Sequence, residues 1–295
     1  MPAWNAEQFV GEAIDSILAQ TFKDFEFIII NDGSTDNTAK IIYSYKDPRI
    51  VFVDNTKNQG LIAVLNQGMD MARGEYIARM DADDISYPER LAKQLEFIEA
   101  NPDVGVLGTS FQEFGDSNHR TIRKERFGLI GLIQGCKIGH PTVMLRKSVF
   151  DKHGLRYSSD YEACEDYELW SRAIRHTAFA NLPDVLLKYR WHHHNISVQQ
   201  KQLQLTNRRR IQENMLDYLA GSDNEQRKRC LFHFGNDKGI STITWLFGFI
   251  PLLKIKSIRA SKRISLFCVI PLIKIKDGKV LLFHFIPVAK IGKFK

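Results

Sequence analysis

The sequence predicts an α/β fold, a mostly parallel sheet flanked by helices, and three observations predict it. Apolar runs of strand length alternate with segments of helical periodicity through the first third of the chain. The strand-like runs are nearly continuous in isoleucine and valine, as strands covered on both faces are. The connections between them are short, and several end in acidic turns.

The elements follow in order. Residues 6–20 place Phe9, Val10, Ala13, Ile14, Ile17 and Leu18 on one helical face, with Asn5 in position to cap it. Residues 25–30 read as a buried strand that ends at Asn31-Asp32-Gly33-Ser34. A helix over 36–45, a strand over 50–53 and a helix over 60–72 lead to a strand that begins after Gly74 and runs into Asp81-Ala82-Asp83-Asp84. Beyond it come a helix over 88–99 and a strand over 104–108. A polar, then Gly/Ile-rich stretch over 115–137 is expected to be a loop lying over a site. Strand resumes at 140–145, and a helix over 164–173 opens on Glu165-Asp166, where the macrodipole favours acids. A strand over 185–191 is followed by His192-His193-His194. A polar helix over 199–221 offers Leu203, Ile211, Met215, Leu216 and Leu219 as a docking face. No strand is visible ahead of the first helix, although a doubly wound sheet would want one there.

The chain has 295 residues, 44% hydrophobic and 25% charged, enough for one large domain with an appendage. The division expected is a catalytic domain over 1–198 and a helical, basic, amphipathic extension over 199–295. Cys136, Cys164, Cys230 and Cys268 are scattered, which speaks against a zinc site or disulfide framework and fits a reducing compartment. The first residues lack the basic start and apolar core of a cleavable signal. The best apolar run, 240–253, falls short of the roughly 18–20 residues that cross a bilayer.

Charge is unevenly distributed. Residues 1–200 carry 22 basic and 28 acidic side chains, whereas residues 201–295 carry 19 and 6. In the tail, Leu246-Phe247-Gly248-Phe249-Ile250-Pro251-Leu252-Leu253-Lys254-Ile255-Lys256 recurs as Leu266-Phe267-Cys268-Val269-Ile270-Pro271-Leu272-Ile273-Lys274-Ile275-Lys276, with a looser third copy from Leu282. Aromatic and apolar stretches joined to alternating lysines suit the headgroup region of an anionic membrane; packing of the same units on the catalytic domain is the alternative. No nucleic-acid partner is expected, because no recognised binding module accompanies the charge.

Asp81, Asp83 and Asp84 fall at a strand end, where ligands bind in open α/β sheets. Carboxylates that close repel one another unless a cation or a hydrogen-bonding ligand compensates. Hard oxygen donors suit Mg²⁺ or Mn²⁺, held by one or two carboxylates together with substrate phosphates. A solvated acidic turn before the next helix is the plain alternative.

Taken with Pro2-Ala3-Trp4-Asn5-Ala6-Glu7, Asp32 and Glu165-Asp166, this cluster resembles the family 2 glycosyltransferases, whose fold is the Rossmann-like GT-A fold. The resemblance covers roughly residues 1–200. It implies that Pro2, Ala3, Trp4, Asn5 and Glu7 lie against the base and ribose, with Trp4 where the family usually has Tyr. It implies that Asp32 accepts a hydrogen bond from a uracil-type N–H, that Asp81 lies near the ribose and that Asp83 binds the metal. Glu165-Asp166 matches a pair beside the acceptor; Asp166 is expected to be the general base, with Glu165 as the alternative. Tyr189-Arg190-Trp191-His192 matches a segment in which His192 completes the metal shell or donates to the diphosphate, and Arg190 supplies a second phosphate-facing charge. His140-Pro141-Thr142 resembles a segment near the donor sugar or acceptor, and a core-edge histidine is equally open. Three successive histidines on a strand end point in different directions, which disfavours a zinc site.

The resemblance implies a metal-dependent, inverting hexosyltransferase that uses Mn²⁺ or Mg²⁺. It would take a nucleotide-sugar donor, a UDP-sugar by expectation, and transfer to a hydroxyl of a glycan or lipid-linked acceptor. The basic tail suggests a cytoplasmic protein peripheral on the inner membrane, in lipopolysaccharide or capsule assembly. No Gln-x-x-Arg-Trp follows Asp166, so the processive synthases are a poor match. The rivals are an inactive membrane-associated nucleotide-sugar binder and a nucleotidyltransferase-like enzyme, although no Gly-rich basic loop of the latter kind is visible.

Overall fold

The computed structural model describes residues 1–123, 126–193 and 195–220, and beyond them seven short strands. The chain forms two compact units, Met1–Gln212 and Glu213–Lys295.

In the first unit, β1 (Pro2–Ala3), β2 (Phe27–Asp32) and β3 (Ile50–Asn55) form a parallel three-stranded sheet. It is wrapped by α1 (Val10–Leu18) and α2 (Thr38–Ser44). Helix α3 (Leu61–Met71) then leads to β4 (Tyr76–Ala78) and β5 (Ile85–Ser86) on either side of the acidic turn. Helix α4 (Arg90–Ala100), β6 (Val104–Gly115), the short β7 (Arg120–Thr121) and α5 (Leu129–Ile133) come next. They are followed by β8 (Met144–Arg146), α6 (Lys147–Lys152), α7 (Glu165–Ala173) and β9 (Ala178–Trp191). A second sheet has the order β4-β8-β6-β9-β5, with β7 paired to β6. It is mixed: β6 runs parallel to β9, while β4, β6 and β5 meet their other partners antiparallel. Helices α8 (Ile196–Gln199) and α9 (Lys201–Ala220) follow.

Burial explains the sheet assignments. Val10, Ala13, Ile14 and Ile17 of α1 pack on Phe27 and Ile29 of β2, and a second cluster joins Leu91 and Ile98 of α4 to Leu107 and Ala180. Full burial of side chains of this size stabilises by about 1.5–3 kcal/mol each.

Several expected boundaries move, each for a local reason. The first helix begins at Val10 rather than Ala6, and Asn5 does not cap it. Asn5 is in the left-handed region at φ 46°; its backbone N–H donates to Ser34 Oγ, and its Oδ1 accepts from the backbone N–H of Thr35. Two residues of strand, Pro2–Ala3, do precede α1, pairing with Ile30 and Asn31 of β2. Strand β6 runs seven residues past Gly108 because its polar Thr109 and Ser110 are buried and bonded, to Thr142 Oγ1 and to the carbonyls of Arg123 and Leu182. The stretch expected to be loop over 115–137 contains β7 and α5. On α9, Ile211 is buried as expected, whereas Leu203 is 40% exposed.

In the second unit, β13 (Lys254–Ile258) pairs antiparallel with β10 (Ile240–Ser241) and β14 (Ser261–Ser265). Strand β11 (Trp245–Leu246) pairs with β12 (Ile250–Pro251), and β15 (Ile273–Lys276) with β16 (Lys279–Leu282). The aromatic halves of the sequence repeat lie mostly outside the described residues. Among the described residues, no helix is long and apolar enough to cross a membrane.

The turn after β2 needs glycine. Gly33 has φ 64°, and a Cβ there would lie 2.5 Å from the carbonyl carbon of Lys57. Gly33→Ala should therefore cost about 1–3 kcal/mol, read as a lowered urea midpoint. An unchanged midpoint would show that the Lys57–Asn58 backbone yields freely.

Candidate active site

The site lies where β2 and β4 end. Strand β4 continues through Arg79 and Met80 into the acidic turn, which is closed by a 3.4 Å bond from the Asp84 N–H to the Asp81 carbonyl. One oxygen from each of Asp81, Asp83 and Asp84 lies within 4.8 Å of the others. A residue not among the expected site residues, Arg79, organises them. Arg79 is 7% exposed and donates both Nη atoms to Asp81, at 2.7 Å to Oδ2 and 2.5 Å to Oδ1. Burial works against its charge, but Asp81 and the other acids more than restore it. A second buried guanidinium, Arg90, donates from Nη2 to the Arg79 carbonyl at 2.6 Å and from Nε to Gln94 Oε1 at 3.0 Å.

The other two aspartates are uncomfortable without a cation. Asp84 is fully buried; Oδ1 accepts from the Arg190 N–H at 2.8 Å, and Oδ2 has no hydrogen-bond partner. Burial, then the charges of Asp81 and Asp83, push its pKa well above the carboxylate range. Asp83 is also raised, by burial and Asp81, although His192 Nε2 at 3.1 Å from its Oδ2 works the other way. An orphaned buried oxygen beside two crowded carboxylates is a hard-oxygen donor set, and it fits Mg²⁺ or Mn²⁺.

Arg190 and His192 arrive from the end of β9. Arg190, expected to face a phosphate, has its guanidinium engaged by Glu12 Oε2 at 2.5 Å and by the Asp83 carbonyl at 2.7 Å. It is also clasped between the rings of Phe9 and Phe114, so here it holds the acidic turn in place. The His192 ring stacks on Phe9, and its backbone N–H donates to Asn195 Oδ1. His193 turns instead to Asp116, and His194 lies outside the described residues. The neighbouring histidines thus diverge, and the only potential metal cluster among the described residues is the aspartate trio.

Helix α7 brings the second acidic pair to the same electrostatic neighbourhood. Glu165, 7% exposed, is pushed to about 7 by burial and by the charge of Asp166. Asp166 is half-buried; burial raises it too, while its own helix N–H at Tyr167, 2.7 Å from Oδ1, and the charge of Arg79 restrain the rise. Close by, His140 Nε2 lies 2.9 Å from Tyr157 Oη, and burial together with Arg79 holds that imidazole neutral. Asn66 fixes Tyr157 with two 2.9 Å bonds to its backbone.

The remaining expected residues gather at the end of β2. Asp32 is buried, and its two oxygens accept the N–H groups of Gln59 and Gly60, each at 2.9 Å. Glu7 Oε2 accepts both the backbone and side-chain nitrogens of Asn37, so Asn5 and Glu7 clasp the turn that carries Asp32. Pro2 and Ala3 are strand residues, and Trp4 beside them is 57% exposed. Arg79 was discoverable: one charged residue inside an otherwise apolar strand must have a partner.

Comparison with known proteins accords with this arrangement. The model for glycosyl transferase family 2 matches residues 1–157. An uncharacterized glycosyltransferase of Haemophilus influenzae is 35% identical over 233 residues, 74% of this chain and 72% of that one. The putative glycosyltransferase EpsE of Bacillus subtilis is 36% identical over 198 residues, 64% and 71% of the two chains. Among solved structures, S. aureus TarS 1–349 in complex with UDP-GlcNAc superposes with a TM-score of 0.64 at 19% identity, over 77% of this chain and 68% of that one. The mannosyltransferase PcManGT of Pyrobaculum calidifontis, in complex with GDP-Man and Mn²⁺, gives 0.53 at 16% identity, over 75% and 74%.

The raised Glu165 fixes the sign of a pH effect. Its pKa is about 7 in the fold against 4.5 when unperturbed, so its stabilising contribution is complete below pH 4.5 and is lost as pH rises through about 7. Glu165→Gln should gain stability relative to the parent across that window, measured by urea midpoints of the ligand-free proteins. Parallel pH profiles would remove Glu165 from the account.

Proposed function

The chain belongs to glycosyl transferase family 2, and from that premise we propose that it is a metal-dependent, inverting hexosyltransferase using a nucleotide-sugar donor, by preference a UDP-sugar. The observation that carries this reading is the aspartate trio, three oxygens within 4.8 Å with the buried Asp84 Oδ2 unpartnered. The nucleotide sugars in the TarS and PcManGT structures, and the Mn²⁺ in the latter, support the same class of ligands.

On this reading the end of β2 receives the nucleoside. The exposed indole of Trp4 offers a stacking face for the base. Oδ1 of Asp32 accepts from Gln59 N–H and, at 3.4 Å, from Asn55 Nδ2, and Oδ2 accepts from Gly60 N–H alone, which leaves Oδ2 a lone pair to accept the imide N–H of a uracil. Asp81, held by Arg79, faces the ribose, while Pro2, Ala3, Asn5 and Glu7 shape the rim. Asp83 and His192 are the proposed metal ligands; a divalent ion held there would supply positive charge to stabilise the departing nucleotide.

The acceptor side falls to α7. Burial and the charge of Asp166 push Glu165 to about 7, so it can hold a proton near neutral pH, while the Tyr167 N–H and the charge of Arg79 favour the ionised form of Asp166. Asp166 then removes the proton from the attacking acceptor hydroxyl, and attack opposite the leaving nucleotide inverts the anomeric centre. Arg190 acts on this reading by fixing the Asp83–Asp84 backbone rather than by touching phosphate. The excess of 19 basic over 6 acidic side chains in residues 201–295 favours a lipid-linked acceptor at an anionic, cytoplasmic membrane face, as in lipopolysaccharide or capsule assembly.

A donor screen scored by released nucleotide tests the activity; dependence on both Mn²⁺ and Asp83 is expected, and binding without turnover for every donor would leave a binder only. Asp83→Ala should abolish Mn²⁺-dependent donor binding by calorimetry, and intact Mn²⁺-dependent affinity would refute the ligand assignment. Asp166→Asn should bind donor nearly normally while transfer falls by about 10² or more. Near-normal transfer in that variant would move the base to Glu165.

A further inference from the structure

Two arginines near the N-terminal end of α7 have no acid to pair with. Arg79, Arg156 and Arg172 each hold a carboxylate, whereas among the described residues none pairs with Arg123 or Arg208. Arg123 follows β7, and its backbone is fixed on Ser110, whose Oγ accepts from the Arg123 N–H at 2.7 Å and donates to its carbonyl at 3.0 Å. The side chain is half-buried, and its Nε is shut off from solvent with no hydrogen-bond partner. Such a donor costs stability until something accepts from it.

Arg208 is placed by α9, which is stapled to the segments on either side of the second acidic pair. Gln212 Nε2 donates to the Ile133 carbonyl at 2.7 Å, Asn207 Nδ2 to the Glu162 carbonyl at 2.8 Å and Gln204 Nε2 to the Ala163 carbonyl at 3.1 Å. Tyr167 of α7 reaches the end of α5 through a 2.7 Å bond to the Leu132 carbonyl. The exposed Arg208 guanidinium lies over Gly135, so close that a Cβ there would stand 2.9 Å from Nη2. Two thiols tie both cations to the surroundings of Asp166. Burial pushes the Cys136 thiol up; Asp166 and Cys164 add to the rise and Arg123 opposes it. Burial pushes Cys164 up to about 12, Asp166 and Glu165 add to the rise, and Arg208 opposes it. Arg123 and Arg208 therefore act on one charge neighbourhood, the start of α7.

We propose that Arg123 and Arg208 hold an anionic group carried by the acceptor, a phosphate by preference, and so set its attacking hydroxyl against Asp166. The proposal rests on the reading of Asp166 as the base and adds the class of substrate that the base serves. A guanidinium fork matches phosphate oxygens with two parallel bonds, and the unpartnered Arg123 Nε is a donor that such an oxygen satisfies. The two cations also offset the repulsion that a phosphate would meet from Glu165 and Asp166. An uncharged acceptor would leave both guanidiniums without a counter-charge and the Arg123 Nε still unbonded.

Calorimetry on the full chain without Mn²⁺ compares octyl phosphate with octyl glucoside. Octyl phosphate should bind at least about tenfold more tightly, and Arg123→Gln and Arg208→Gln should each weaken it about tenfold, the scale of one charge-assisted bond. Glycerol 3-phosphate separates the sources of the anion: affinity equal to that of octyl phosphate assigns it to a soluble phosphorylated glycan, and weaker affinity to a lipid-linked phosphate. No preference for octyl phosphate over octyl glucoside, or full affinity in either arginine variant, would overturn the proposal. Binding that disappears in Asp83→Ala would overturn it too, by putting the phosphate at the aspartate trio. UDP affinity with Mn²⁺ is read on the same parent protein. UDP bound without a preference for octyl phosphate fails this proposal alone, whereas no UDP binding fails the donor reading.

Discussion

The buried ion pair between Arg79 and Asp81 is the interaction on which the rest of the site depends. Its two short bonds set a guanidinium against one carboxylate in a place where burial raises the pKa of the others. The same guanidinium is felt by Glu165, Asp166, His140 and Tyr157, so it sets the field in which both acidic pairs titrate. Removing one partner of such a pair typically costs about 3–5 kcal/mol, because the other is left charged and dry. Arg90 adds the mechanical part, since its bond to the Arg79 carbonyl fixes the strand end from below the turn.

Position follows from topology. On the proposed reading the nucleoside-side residues sit on one sheet, at the end of β2, and the acidic turn extends from the edge strand of the other. The distance between them is therefore set across a seam, bridged at its carboxyl end by Met1–Ala3 and open along the groove between β2 and β4. Sites hold their geometry through the rigidity of the elements behind them.

Much of this was legible in the sequence. Helices and buried strands showed in their periodicity, and the acidic turn announced itself by placing three carboxylates after an apolar run. What was hidden was how polar groups are satisfied. Thr109 and Ser110 looked like the end of a strand because their buried hydrogen bonds join residues distant in sequence. Asn5 looked like a cap, yet a left-handed backbone turns it to Thr35. Arg190 looked like a phosphate-facing charge, and its guanidinium is held between two rings and an acid contributed by α1. Such pairings are three-dimensional facts, and residue spacing does not encode them directly.

The acids also explain why the site would respond to its ligands as a unit. Five carboxyl groups, from Asp81, Asp83, Asp84, Glu165 and Asp166, share the vicinity of two buried guanidiniums, and burial raises four of them. Burial and mutual repulsion favour the protonated forms of the unpartnered Asp84 and of Glu165. On the proposed reading, a divalent cation at the aspartates supplies the missing positive charge and lowers the cost of ionising its neighbours, so that its binding releases protons. Asp81 is already paired with Arg79.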